Sequence, residues 1–178
     1  EDGKADYSAE VATLASAGGD AVAVIGYLDQ GGKGIIQGSL DSGAFDTFIL
    51  SDGMIGDSLT DAFGKDLNKS FGSLPGSTGK GASVFTDVAK AAGIDSSGPY
   101  TGESYDAAAL IVLAMQAGGK ADRATVQQNV MSVANAPGTK IYPGELKKAL
   151  DLLASGKAVD YEGATGVAFT EVGEAEGS

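Results

Sequence analysis

The chain has no cysteine and no histidine in its 178 residues. Together these absences remove disulfides, zinc and iron–sulfur sites built on those ligands, and every Ser-His or Cys-His nucleophile. A chain without cysteine is compatible with an oxidising compartment. Basic residues are scarce, 12 against 24 acidic ones, for a net charge of −12 and a pI of about 4.2. There is no cationic footprint for phosphates, so nucleic acid is not expected as a partner, and neither is an anionic bilayer. The charge instead describes a self-repelling surface. Proline is rare, 4 residues beside 28 glycines, and glycines dispersed in this way are common just past the ends of short helices. No apolar run approaches the roughly 18 residues of a membrane span. No basic leader with an apolar core opens the chain, so a signal for export would lie outside these residues.

What is present is a chain with an apolar fraction of 43%, long enough for a core of one or two domains. Residues 21–25 (AVAVI) are an uninterrupted apolar run, as in a strand buried on both faces. Tyr7, Val11 and Leu14 before it lie at helical spacing, ended by Gly18-Gly19. A Gly-punctuated helix over 33–42 leads to a second apolar strand over 47–50. A short helix over 55–67 and a strand at Phe71 complete a β-α-β-α-β order. Residues 72–79 (GSLPGSTG) form the clearest linker. Beyond it the pattern turns helical. Phe85, Val88 and Ala92 form one stripe. Residues 104–117 are apolar almost all round, which predicts a buried helix. Val126, Val130 and Val133 mark another helix, opened by a Thr125–Gln128 capping box. Pro143 falls at the first position of a helix carrying Leu146, Leu150 and Leu153. Residues 167–170 predict a last strand, and the acidic, Gly-rich end after Glu171 a mobile tail.

Several motifs fail on inspection. Gly32-Lys33-Gly34 would need glycine at position 37 for a dinucleotide fingerprint, and Gln37 stands there. Gly79-Lys80 lacks the glycine of a phosphate loop at position 74, which is Leu74. Ser77-Thr78-Gly79-Lys80 matches a serine/lysine pattern but lies in a linker, without its companion elements. Asn68-Lys69-Ser70 is a glycosylation sequon. Carboxylates are plentiful, yet no spacing selects a glycosidase pair. Tyr27 and Asp52 remain. Each follows one of two consecutive apolar strands, and in a parallel sheet both strands end on the edge where ligands bind. Alone, Tyr27 reads equally as a core tyrosine and Asp52 as a turn residue of Asp-Gly. Together, a phenol and a carboxylate at one edge suit a small ammonium-bearing molecule.

The order of these pieces resembles the C-terminal half of periplasmic solute-binding proteins of the leucine/isoleucine/valine type, the receptors of ABC importers. The matching stretches are the helix before Gly19, the strand into Gly26-Tyr27, Gln30-Gly31-Gly32 entering a helix, Ser51-Asp52-Gly53 and residues 72–76. They continue with Glu103-Ser104-Tyr105-Asp106-Ala107-Ala108 and Tyr161-Glu162-Gly163-Ala164-Thr165-Gly166, with Phe169 near the end. The resemblance implies an α/β, type I periplasmic-binding-protein fold of two Rossmann-like lobes, present as a partial chain. Residues 1–74 would form part of the second lobe, 75–160 a mostly helical part of the first, and 161–178 a return segment.

By the same resemblance, Tyr27 lines the interlobe cleft, Asp52 takes the ligand's ammonium, and Tyr105 also faces the cleft. Asp52 stands where the best-known members carry glutamate, one methylene longer. The implied role is a non-enzymatic binding protein, without metal or cofactor, for a branched-chain or similar amino acid. It would act in the periplasm and deliver its solute to a membrane permease. A ligand-sensing receptor on the same scaffold is the alternative. An α/β enzyme working through Asp52 is a third, though no nucleophile accompanies that carboxylate. The apolar helix over 104–117 lacks a sheet to cover it, which predicts self-association or a retained N-terminal piece.

Overall fold

The computed structural model describes Gly3, Lys4 and residues 6–176. The chain forms two compact units, Glu1–Pro75 and Gly76–Ser178.

The first unit alternates helix and strand. Helix α1 (Ser8–Ala17) precedes β1 (Val22–Val24), α2 (Gly32–Ser42), β2 (Phe48–Leu50), α3 (Asp57–Phe63) and β3 (Phe71–Gly72). The strands form one parallel sheet in the order β1-β2-β3, with Val22 opposite Phe48 and Ile49 opposite Phe71. Side chains alternate along each strand. Val22, Val24, Phe48 and Leu50 therefore face one way, and pack with Ile36 of α2 and Leu59 and Phe63 of α3. Ala23 and Ile49 face the other way and are exposed, so these strands are buried on one face only. Within the first unit, the expectation of a strand covered on both faces is met on one face only.

The second unit is helical with a small sheet. Its helices are α4 (Lys80–Ala91), α5 (Thr101–Gly118), α6 (Arg123–Ala134) and α7 (Leu146–Ala154). Strands β4 (Thr139–Ile141) and β5 (Val159–Tyr161) pair in parallel, Lys140 opposite Asp160. Leu110, Leu113 and Ala114 of α5 share a core with Val133 of α6, Ala149 of α7, Ile141 and Tyr161.

Four expectations are corrected here. Helix α5 is not buried all round: Asp106, Ala109, Leu110, Leu113 and Ala114 form its buried stripe, while Ile111 and Val112 are exposed. Helix α6 is capped by Asp122, whose carboxylate accepts from the Thr125 N–H at 2.8 Å. Thr125 is thus the third helical residue rather than the cap. Helix α7 starts at Leu146, so Pro143 lies ahead of it, in a turn where the Glu145 carboxylate accepts from the Tyr142 N–H at 3.0 Å. Residues 167–170 form no strand; Phe169 makes a single antiparallel bridge with Ala175. The end after Glu171 turns back through Glu176, whose N–H donates to the Ala168 carbonyl at 2.8 Å.

Candidate functional site

The first unit brings Tyr27 and Asp52 to one sheet edge for a local reason. Both β1 and β2 run in the same direction, so their following loops leave side by side. The Ser51 N–H donates to the Val24 carbonyl at 3.2 Å, and the Gly26 N–H donates to the Ser51 hydroxyl at 3.2 Å. The loop after β1 then makes a single 3-10 turn, Leu28–Gln30, into α2, and the loop after β2 makes another, Asp52–Met54.

Gly53 decides how closely the two loops meet. A Cβ at this position would stand 2.4 Å from the Gly26 carbonyl oxygen and 2.8 Å from Cδ1 of Tyr27. Only glycine permits that approach, and the Tyr27 ring lies over it. Tyr27 is 65% exposed, so it is not a core tyrosine. Next to Gly53, the Asp52 side chain is exposed and its Oδ1 accepts from the Gly53 N–H at 2.8 Å. A carboxylate can supply a charge-assisted acceptor and an aromatic ring a flat apolar face, the two kinds of group an organic ammonium uses.

A cavity of about 370 Å³ opens on the β1 side of the Tyr27 ring, with Tyr7, Glu10, Gly26, Gln30 and Gly31 also in its wall. Asp52 does not line it. Tyr7, read from the sequence only as one member of a helical stripe, is buried, and its hydroxyl accepts from the Lys4 N–H at 3.1 Å. Nothing in its spacing distinguishes it from an ordinary helix residue.

Tyr105 belongs to the second unit. Its ring packs on Phe85 with centroids 5.2 Å apart and planes at 48°, and its hydroxyl accepts from the Gly144 N–H at 2.9 Å. Its neighbour Asp106 is the residue that sequence reasoning passes over. Asp106 is 2% exposed. Its carboxylate accepts from the Tyr161 hydroxyl at 2.9 Å, from the Ala164 and Thr165 N–H groups at 2.7 and 2.8 Å, and from the Thr165 hydroxyl at 2.7 Å. A Cβ on Gly163, whose φ is +56°, would fall 2.3 Å from the Asp106 Oδ1. Burial, followed by the adjacent Asp106 charge, pushes the Tyr161 phenol well above its ordinary pKa. The stretches 103–108 and 161–166, read separately in the sequence, thus meet through one carboxylate. Among the described residues, no group of three or more Asp and Glu side chains is placed to hold a metal ion. Among them too, no helix is long and apolar enough to cross a membrane.

No protein-family model matches the chain. A stretch of 68 residues, 38% of the chain, is 40% identical to the chemotactic signal transduction system substrate-binding protein BasB of Halobacterium salinarum. That stretch is 16% of BasB. The crystal structure of the leucine-binding protein LivK from Thermotoga maritima matches 97% of this chain with a TM-score of 0.66 at 19% identity. The chain spans 43% of LivK. The fold is therefore the α/β type I periplasmic-binding-protein fold, present as a partial chain. Both proteins bear names of binding proteins, not of enzymes.

Proposed function

We propose that this chain is part of a periplasmic solute-binding protein that takes up an amino acid, branched-chain or similar, and hands it to the membrane permease of an ABC importer. The observation that carries the reading is the pairing of the exposed Asp52 carboxylate with the exposed Tyr27 ring over Gly53. Asp52 receives the ammonium, and the Tyr27 face packs on the solute. Tyr105, within the second unit, is a separate candidate ligand contact. No step of bond making or breaking is assigned to any of them. The fold shared with LivK supports the binding role.

A panel of amino acids in a thermal-shift assay on the full-length protein tests the reading. A ligand at a hundred times its Kd adds about 2.7 kcal/mol of stability. The Asp52→Asn variant loses a charge-assisted hydrogen bond of about 1.5–3 kcal/mol, which is roughly a tenfold to more than a hundredfold weaker Kd by calorimetry. Unchanged affinity removes Asp52 from the site. No response to any amino acid removes the substrate class.

One observation favours a second reading, in which the loaded protein reports to a signal transducer instead of a permease. It is the 40% identity over 68 residues with a protein named for chemotactic signal transduction. Deleting the gene separates the two. Loss of solute uptake with normal taxis supports delivery, and loss of taxis with normal uptake supports sensing.

A further inference from the structure

The loops that carry Tyr27 and Asp52 interlock through side chains seated on glycine. In the loop after β1, the Tyr27 carbonyl accepts from the Gln30 N–H at 3.2 Å and from the Gly32 N–H at 3.1 Å, so Tyr27 and Gly32 belong to one turn. A Cβ on Gly32 would stand 2.2 Å from Sδ of Met54 and 2.8 Å from the Tyr27 carbonyl oxygen. The Met54 thioether thus fills the space that a side chain at position 32 would take. Met54 in turn closes the 3-10 turn that Asp52 opens. Its N–H donates to the Ser51 carbonyl at 3.0 Å, and the Ile55 N–H donates to the Asp52 carbonyl at 3.1 Å. A second contact runs the other way: a Cβ on Gly56 would stand 3.1 Å from Cδ1 of Leu28, the residue after Tyr27. Met54 has no exposure and shares the core of β1, β2 and α2. We propose that Met54 is a positioning residue of the amino-acid site. It touches no solute and, through Gly32, fixes where the Asp52 carboxylate stands relative to the Tyr27 ring.

Two features single out Met54 within its core. The first is connectivity. Met54 lies two residues from Asp52 and against the glycine whose N–H holds the Tyr27 carbonyl. Leu59 and Phe63 enter the same core from α3 and belong to neither turn. The second is that neither side of the contact yields easily. Interiors are close-packed, so neighbours only partly fill a void or make room for an added methyl. Gly32 is buried at the first position of α2, and the Tyr27 carbonyl, which is backbone, closes another side of it. A different shape at position 54 therefore moves one turn against the other. A charge-assisted N–H···O bond holds its atoms about 2.7–2.9 Å apart, so such a movement weakens the grip on an ammonium while every group that touches solute is still present. Met54 has this role only if Asp52 and Tyr27 bind the solute, so it rests on that reading.

Calorimetric titration of the full-length protein with leucine, isoleucine and valine, alongside urea unfolding, tests the proposal. Met54→Leu conserves volume, the kind of core exchange that folds, but sets a branch where the unbranched thioether meets Gly32. It weakens binding about threefold or more. Met54→Ala, where it folds, weakens binding at least as much. Phe45→Ala is the control for stability alone. Phe45 is 6% exposed in the same core and precedes β2, at the end of the strand away from Asp52. That variant lowers the urea midpoint and leaves affinity within about twofold. A double-mutant cycle then separates positioning from mere structure. Asp52→Asn removes the charge that Met54 places, so Met54→Leu added to Asp52→Asn changes affinity by less than about twofold. Met54→Leu that binds like the parent overturns the proposal. So do effects of Met54→Leu and Asp52→Asn that simply multiply, and so does a Phe45→Ala variant that loses affinity as the Met54 variants do. In these three outcomes Asp52→Asn still weakens binding, and the binding reading stands. An Asp52→Asn variant that binds like the parent, or a parent that binds none of the three amino acids, removes the site itself and overturns both.

Discussion

Asp106 holds more of the second unit in place than any other polar side chain described. Its buried carboxylate accepts four hydrogen bonds, and the donors come from residues 161–165, far along the chain. Asp106→Asn keeps the volume but turns an amide N–H₂ toward groups that donate. Two or more charge-assisted bonds are lost, each about 1.5–3 kcal/mol, so the second unit should lose about 3 kcal/mol or more in urea titration. Tyr161→Phe removes one donor and leaves three, at about 1 kcal/mol. The pH dependence follows from the same pair. The folded-state pKa of Tyr161 is raised, so the phenol's contribution is complete below the ordinary value of about 10. Above that value the unfolded chain releases a proton that the folded chain keeps, and stability falls by about 1.4 kcal/mol per pH unit from this group. Melts between neutral and strongly alkaline pH should show that slope in the parent and lack it in Tyr161→Phe. Equal slopes would assign alkaline unfolding to other groups.

At the scale of elements, what is legible in the sequence depends on how much apolar pattern each element carries. The strands at 22–24 and 48–50 announce themselves because nothing polar interrupts them, and their parallel pairing sets Tyr27 and Asp52 at a shared edge. The pair β4 and β5 carries no such signal. Thr139–Ile141 and Val159–Tyr161 each hold a charged residue in three, Lys140 and Asp160, and are strands because α5, α6 and α7 give Ile141, Val159 and Tyr161 a core to enter. The start of α6 is ambiguous in sequence because Asp122 and Thr125 both suit a cap, and geometry alone decides between them. Helix α5 misleads because Ala, Ile and Val on its outer side look the same in sequence as those on its inner side. A direct comparison of the two sides checks the structure. Leu113→Ala removes a side chain with no exposure and should cost about 2–5 kcal/mol. Val112→Ser, on a side chain 40% exposed, should change stability by no more than about 0.5 kcal/mol. Comparable losses at both positions would restore the helix buried all round.

Charge of one sign is what most sets the behaviour of the whole molecule. Twenty-four acidic residues face 12 basic ones. The six ion pairs among the described residues, such as Lys147 with Asp151 at 2.7 Å and Lys148 with Glu145 at 3.0 Å, all join side chains that reach solvent. Pairs of this kind contribute little each, and they leave most carboxylates facing one another across water. Compaction brings those carboxylates together, so self-repulsion opposes the folded state. Screening by salt weakens that repulsion directly. The Debye length shrinks from about 10 Å at 0.1 M salt to about 3 Å at 1 M, shorter than the spacing between most surface charges. Salt weakens the favourable exposed pairs as well, but with two acids for each base the repulsive pairs outnumber them. Stability should therefore rise by about 1–2 kcal/mol between low salt and 1 M, which for a chain of this size is a Tm gain of about 2–8 °C. Sodium and potassium chloride should act alike at equal ionic strength, and most of the gain should precede 1 M, since little is left to screen beyond it. A Tm that falls with salt would mean that the attractive pairs outweigh the acidic excess. A Tm that climbs only with sulfate would assign the effect to strengthened apolar burial and not to charge.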